Sequence, residues 1–154
     1  MYKHILVAVD DSETSRLALH EAINLAKEQK AKLRIIHVAD EQIVDYDGLG
    51  IDFNGYVASI KEYGQTLLSK AAEMARELKI DFDTQLMELK TLQGPVAQKI
   101  IEAVQAWPAD LLVIGTHGRR GFNHLLLGSV AEGVMRIAPI PVLIIRGKAS
   151  KSSW

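Results

Sequence analysis

The sequence predicts an α/β protein with a parallel sheet held between two layers of helices, and two observations predict it. First, short apolar runs recur along the chain at Ile5–Val9, Leu33–Val38, Phe82–Leu89, Leu111–Ile114 and Val142–Ile145. The first, fourth and fifth are almost unbroken in Ile, Leu and Val, the pattern of strands buried on both faces as parallel sheets bury them. Second, each gap between runs holds a longer stretch with helical periodicity. The order is therefore β-α-β-α-β-α-β-α-β, and such alternation with right-handed crossovers gives a Rossmann-like three-layer sandwich around a five-stranded parallel sheet.

Each element has its own signal. Leu19, Ala22, Ile23 and Ala26 mark one face of the first helix, which Ser12 or Asp11 can cap and whose positive end Glu13 suits. The second helix carries the stripe Ile60, Tyr63, Leu67, Ala71, Met74 and Leu78. The third carries Val96, Ile100, Ala103, Val104 and Trp107 and opens at Gly94-Pro95, with proline expected in the first helical turn. The fourth carries Val130, Val134 and Ile137 and stops before Pro139. Phe82–Leu89 alternates apolar with polar residues, as an edge or half-exposed strand does.

Composition narrows the function. The 154 residues carry 18 Lys plus Arg against 19 Asp plus Glu, so the chain is not a basic nucleic-acid binder. With no cysteine there are no disulfides, Cys-ligated zinc, iron–sulfur clusters or thiol catalysis, which fits a reducing compartment. No apolar stretch approaches the length of a membrane span, and the opening apolar run is too short for a signal peptide. The chain reads as a soluble, cytoplasmic protein: one domain over residues 1–147 and a flexible tail over 148–154. The segment Asp40–Tyr56, with five acidic residues, three glycines and no Lys or Arg, reads as one long irregular connection, more in keeping with a solvated acidic loop than a metal site.

In open parallel sheets ligands bind beyond the C-terminal strand ends. That points to Asp10–Ser12, Val38–Glu41, Leu89–Gly94 and above all Gly115–Ser129. The last segment holds Gly115, Gly118, Gly121 and Gly128, with Arg119, Arg120, His117 and His124, and runs into the fourth helix near Ser129. Glycines let backbone N–H groups approach an oxyanion, and a helix N-terminus adds unpaired donors and partial positive charge. The segment reads as a phosphate cradle, with turn glycines and a solvated basic face as the plainer alternative. No Walker A loop, GxGxxG fingerprint after the first strand, HExxH or GxSxG elbow is present.

Gly115-x2-Gly118-x9-Gly128-Ser129 resembles the G-2x-G-9x-G-[ST] ATP-binding motif of the universal stress protein (UspA) family. Leu125 to Glu132, Pro141 to Arg146, Ile5 to Asp10 with Ser12-Glu13, and His37-Val38 are similar to that family in wording, so the resemblance covers essentially the whole chain. It implies strand order 3-2-1-4-5 and a homodimer paired through the last strand, Val142 to Arg146. It also implies the ATP-binding branch, with a stress-response switch or sensor rather than a metabolic enzyme. No catalytic residue is assigned.

The resemblance also implies the site. Asp10, closing the first strand, would contact the adenosine part, where a carboxylate can accept from a ribose hydroxyl, with Ala8 beside it. Val38 would read the adenine edge through its backbone. Ile114, Gly115, Thr116, His117 and Gly118 would form the turn around ribose and phosphates, and Gly128, Ser129 and Val130 the phosphate-binding helix start. Mg²⁺ or Mn²⁺ would be held through phosphate oxygens and water, without a dedicated metal site.

Alternatives at this point are a slow ATPase or phosphoryl or nucleotidyl transferase, drawing on Asp11, His117 or His124, and a nucleotide-independent dimeric interaction protein. A protein partner of unstated identity belongs to the switch reading. Asp11 is open between helix cap and metal ligand, with the cap favoured; Gly133 is open between close packing and neutral drift. His37 reads as a hydrogen-bonded core or pocket-edge group. His4 and His20 read as structural or solvated, Trp107 as helix-end packing and Trp154 as a tail residue.

Overall fold

The computed structural model describes residues 1–43, 53–90, 92–117 and 127–147. Five parallel strands, β1 (His4–Ala8), β2 (Lys32–Asp40), β3 (Phe82–Leu89), β4 (Leu111–Gly115) and β5 (Val142–Ile145), lie in the order β3-β2-β1-β4-β5. Four helices connect them: α1 (Glu13–Gln29), α2 (Phe53–Glu77), α3 (Val96–Ala106) and α4 (Ser129–Ile137), with a short 3-10 turn at Glu41–Ile43. All four strand pairs are parallel, with Val7 opposite both Ile35 and Val113 at the centre.

Two apolar cores lie on the two faces of this sheet. One packs Ile5, Val7, Leu33, Ile35 and Val113 against Ala18, Ala22 and Ile23 of α1 and Leu68, Ala71 and Ala75 of α2. The other packs Leu6, Ile36, Leu112 and Ile114 against Ile100 and Val104 of α3 and Val134 of α4. Central strands buried on both faces are why Ile5, Leu6 and Val7 run without a polar residue between them. β3 is an edge strand, as its alternation predicts, with Thr84 and Gln85 exposed.

Several local expectations are corrected. β1 runs one residue earlier than Ile5–Val9, so Asp10 stands two residues past the strand rather than closing it. β2 continues to Asp40, so His37 and Val38 lie within it. Pro95 is the N-cap of α3, not its first helical residue; its backbone is extended and its carbonyl accepts from the amides of Gln98 and Lys99. The cap of α1 is Ser12, whose hydroxyl accepts from Ser15 N, and not Asp11.

The face that α2 buries is rotated from the predicted stripe. Gly64, Leu68, Ala71, Ala72 and Ala75 are buried, whereas Ile60, Leu67, Met74 and Leu78 are half-buried and Tyr63 is exposed. The reason is close approach. A Cβ on Gly64 would lie 2.7 Å from Leu86 Cδ1 and 2.9 Å from His37 Cδ2, so small residues let this helix sit down on the sheet. In α4 the predicted stripe keeps Val134 buried, but Ile137 is exposed and Ala131 takes its place inside. The connection from Asp40 is shorter than expected, because α2 begins at Phe53 and already contains Gly55 and Tyr56; residues 44–52 of it lie outside the described residues.

Candidate functional site: the C-terminal ends of β1, β2 and β4

β1 ends before β2 does, and this opens the sheet. Val9 N still donates to Ile36 O, but the next residue, Asp10, turns out of the strand direction. Ile36 thus turns its carbonyl toward β1. Val38, two residues on, turns its own N–H and carbonyl to the same side, beyond the point where β1 has ended. The unequal lengths of β1 and β2 thus leave the backbone groups of Val38 past the end of β1.

Three side chains fix the turn after β1. Asp10 Oδ1 accepts from Ser12 N at 2.8 Å, Ser15 Oγ accepts from Asp10 N at 2.8 Å, and Ser12 Oγ accepts from Ser15 N at 3.2 Å. Short hydroxyl and carboxylate side chains favour such turns because they bond backbone amides two or three residues on. Asp10 is half-buried, and among the described residues its Oδ2 takes no hydrogen bond, so one carboxylate oxygen builds the turn and the other remains an acceptor. Val9 O accepts from His37 Nδ1 at 2.7 Å, which makes Nδ1 the protonated nitrogen. His37 is thus a buried, hydrogen-bonded core group, as read from the sequence.

The segment after β4 is tied down from two sides. Thr116 N donates to Ile145 O at 3.0 Å, and Thr116 O accepts from Gly128 N at 2.6 Å. The second bond brings the start of α4 against the end of β4. Thr14 and Ser12 hydroxyls both donate to His117 O, at 2.6 and 3.1 Å. The His117 imidazole Nδ1 lies 2.8 Å from Thr116 Oγ1.

The start of α4 has the features of an anion site. Gly128 is the N-cap and has no side chain to bond the first amides. Glu132 N returns to Gly128 O, so the amides of Ser129, Val130 and Ala131 have no acceptor within the helix. Their partial positive charge faces the C-terminal ends of the strands. The N–H of Gly128 itself is spent on Thr116 O, so its part is to cap without obstruction rather than to donate.

Of the expected site residues, Ala8, Asp10, Gly115, Thr116 and His117 lie at or beyond C-terminal strand ends, Val38 and Ile114 lie within the last three residues of β2 and β4, and Gly128, Ser129 and Val130 lie at the start of α4. Ile114 and Thr116 are almost fully buried, and their side chains serve the fold. Gly115 is glycine for a packing reason, since a Cβ there would meet Thr14 Oγ1 at 2.6 Å and the backbone of Thr14 and Ser15 at 2.8 and 2.9 Å. Gly118, Arg119, Arg120, Gly121 and His124 lie outside the described residues. Thr14 and Ser15 were missed by sequence reasoning; the one signal was a run of hydroxyls, Ser12, Thr14 and Ser15, directly after a strand-end aspartate.

His4 packs edge-on against Trp107 and His20 is exposed beside Asn24, so both are remote from this end of the sheet. Trp107 caps α3 with Arg34 over its ring, which is helix-end packing. Gly133 is explained by close packing, because a Cβ would come within 2.8 Å of Ala97 Cβ. Among the described residues no group of three or more His, Asp or Glu is placed to hold a metal ion, and no helix is long and apolar enough to cross a membrane.

The sequence and fold have close counterparts. The model of the universal stress protein family matches residues 1–146. A universal stress protein of Methanocaldococcus jannaschii is 37% identical over 148 residues, covering 95% of this chain and 83% of its own. A crystal structure of a family protein from Burkholderia pseudomallei superposes with a TM-score of 0.78 at 32% identity, over 95% of this chain and 97% of that one. Two further similar structures carry nucleotides. One is a universal stress protein in complex with cAMP (TM-score 0.68, 25% identity, 94% and 97% covered). The other is the Archaeoglobus fulgidus protein in complex with dAMP (TM-score 0.63, 25% identity, 94% and 98% covered).

Proposed function

We propose a function from one established premise: the chain belongs to the universal stress protein family. It binds an adenine nucleotide, ATP in our reading, across the C-terminal ends of β1, β2 and β4, and occupancy acts as a stress-response switch that alters its dimer or a partner surface.

The observation that carries this is the meeting of two complementary ends. Asp10 presents a half-buried carboxylate oxygen beside the gap left by β1, and the Thr116–Gly128 bond sets the uncapped start of α4 against the end of β4. A carboxylate accepts from ribose hydroxyls, and a helix start attracts phosphates. Val38 supplies backbone groups that an adenine edge can pair with. Two related structures hold cAMP and dAMP, which supports the nucleotide class; the choice of ATP follows from the Gly115, Gly118, Gly128, Ser129 spacing. Mg²⁺ or Mn²⁺ would enter on the phosphates, whose oxygens and waters are its ordinary ligands.

The proposed dimer contact is β5. It is the sheet edge opposite β3, and all four of its residues are half-buried, while α4, which leads into it, exposes Met135 and Ile137. An unpaired edge with apolar neighbours is suited to pairing with a second copy. Sedimentation velocity of the full chain should give a dimer, and a monomer at all concentrations would overturn that part.

The binding proposal is tested by calorimetric titration of the nucleotide-stripped chain with ATP and Mg²⁺. Saturation near one ATP per chain is expected. An absence of saturable binding would overturn the switch reading while leaving the fold and family untouched. Turnover of bound ATP would instead favour the transferase or ATPase alternative.

A further inference from the structure

We infer that Thr14 is a positioning residue of the phosphate end of this site, acting on the nucleotide through His117 without touching it; the inference rests on the nucleotide-binding reading above. Thr14 sits in the first turn of α1 and is nevertheless buried. Its hydroxyl is not the helix cap, because Ser12 already fills that role toward Ser15 N. Instead Thr14 Oγ1 donates to His117 O at 2.6 Å and lies 3.3 Å from His117 N, whose hydrogen it accepts. Both backbone polar groups of His117 are therefore engaged by one side chain, and Ser12 Oγ adds a second donor to the carbonyl.

The rest of Thr14 braces the same place. Its backbone and hydroxyl fill the space where Gly115 has no Cβ, and its methyl lies 3.3 Å from where a Cβ of Gly147 would stand. One residue at the start of α1 thus joins the chain leaving β1, the chain leaving β4 and the chain leaving β5. Because the His117 backbone is taken, what residue 117 can bring to a phosphate is its imidazole. The orientation of that ring is set by the bond with Thr116 Oγ1 and by the pinned peptide beneath it. A positioning role through one peptide predicts a loss confined to the phosphates.

Thr14→Val keeps the volume and the branched shape and removes only the hydroxyl. It should weaken ATP about tenfold, near the worth of one or two buried hydrogen bonds, while adenosine affinity changes less than about twofold on the same scale. Thr14→Ser restores the hydroxyl and should return ATP affinity close to wild type. Amide exchange in the nucleotide-free chain should be faster at Thr116 and His117 in Thr14→Val and normal in Thr14→Ser. If Thr14→Val does not fold, Thr14→Ala removes the same hydroxyl without adding a methyl and should show the same ATP-selective loss. Equal losses for adenosine and ATP, or no loss in a wild type that binds ATP, would overturn the inference alone. A wild type that binds no ATP would overturn the nucleotide reading, and this inference with it.

Discussion

His37 Nδ1 donates to Val9 O at 2.7 Å, and this bond replaces the strand ladder where β1 stops and β2 continues. The ring is buried, with Tyr63 edge-on at 6.3 Å between centroids and Gly64 of α2 packed against its Cδ2. His37 thus connects α2 to the residue that precedes Asp10. His37→Leu leaves Val9 O without its donor in a water-poor place, and an unsatisfied buried carbonyl costs about 1–3 kcal/mol. Urea denaturation should show a loss in that range, with ATP binding also weakened because the Asp10 turn loses its anchor. An unchanged midpoint would mean that Val9 O finds another partner.

Gly133 faces Ala97 across the α3–α4 contact, and here two effects of opposite sign compete. Gly133→Ala gains about 0.5–1 kcal/mol of helix propensity. It also places a methyl 2.8 Å from Ala97 Cβ, which cannot rotate away, and overpacking of this kind costs about 1–3 kcal/mol. The clash should win, giving a net loss of about 1 kcal/mol. In a double-mutant cycle Ala97→Gly should relieve most of it, and additive effects would show that the two positions do not meet.

Much of this fold was legible because its strongest signals are local. Runs such as Leu111–Ile114 and the turn proline after α4 depend on neighbours in sequence, and the order of elements followed from them. The buried face of α2 was not legible in that way. A reader of periodicity looks for large apolar residues, whereas Gly64, Ala72 and Ala75 are inside because the helix lies close to β2 and β3. Likewise Gly115 reads as a ligand glycine in the motif, but it is the approach of Thr14, 101 positions earlier in the chain, that excludes a side chain there. The candidate site is legible at the level of segments, through strand ends and the glycine spacing. The hydroxyl bonds from Ser12 and Thr14 to His117 are contacts that no local pattern encodes.

Far from the site, Asp83 is held by Arg34 in a two-pronged contact at 2.7 and 2.9 Å, with Lys32 at 3.6 Å. Its carboxyl is lowered from the usual range, first by the hydrogen bonds from Arg34, with burial opposing and the charges of Arg34 and Lys32 assisting. A carboxyl lowered in the folded state adds stability that is fully present above its unfolded value of about 3.9, and that is lost as pH falls through the folded value. The pair is partly exposed, so solvent screening limits its worth to about 1 kcal/mol. Asp83→Asn should therefore destabilise by about that amount at neutral pH. The gap between the two proteins should narrow only below about pH 4. A gap that is constant down to pH 2 in acid titrations of stability would remove the ionic explanation.

Asp10 carries two duties that one substitution can separate. Oδ1 bonds Ser12 N and holds the turn, while Oδ2 is the oxygen we assign to a ribose hydroxyl. Asp10→Ala removes both, so a loss of binding in that variant alone would not say which mattered. Asp10→Asn is more informative, because an asparagine oxygen forms the same turn. Its amide then puts a donor where the second carboxylate oxygen had been an acceptor. If the carboxylate reads the ribose, Asp10→Asn should keep wild-type unfolding behaviour yet weaken ATP about tenfold or more, the range for losing a hydrogen bond to a charged group. Inorganic triphosphate has no ribose, so its affinity, measured by competition, should be unchanged. Equal weakening of both ligands would place the effect in the charge near the phosphates. An effect in Asp10→Ala but none in Asp10→Asn would reduce Asp10 to a turn former.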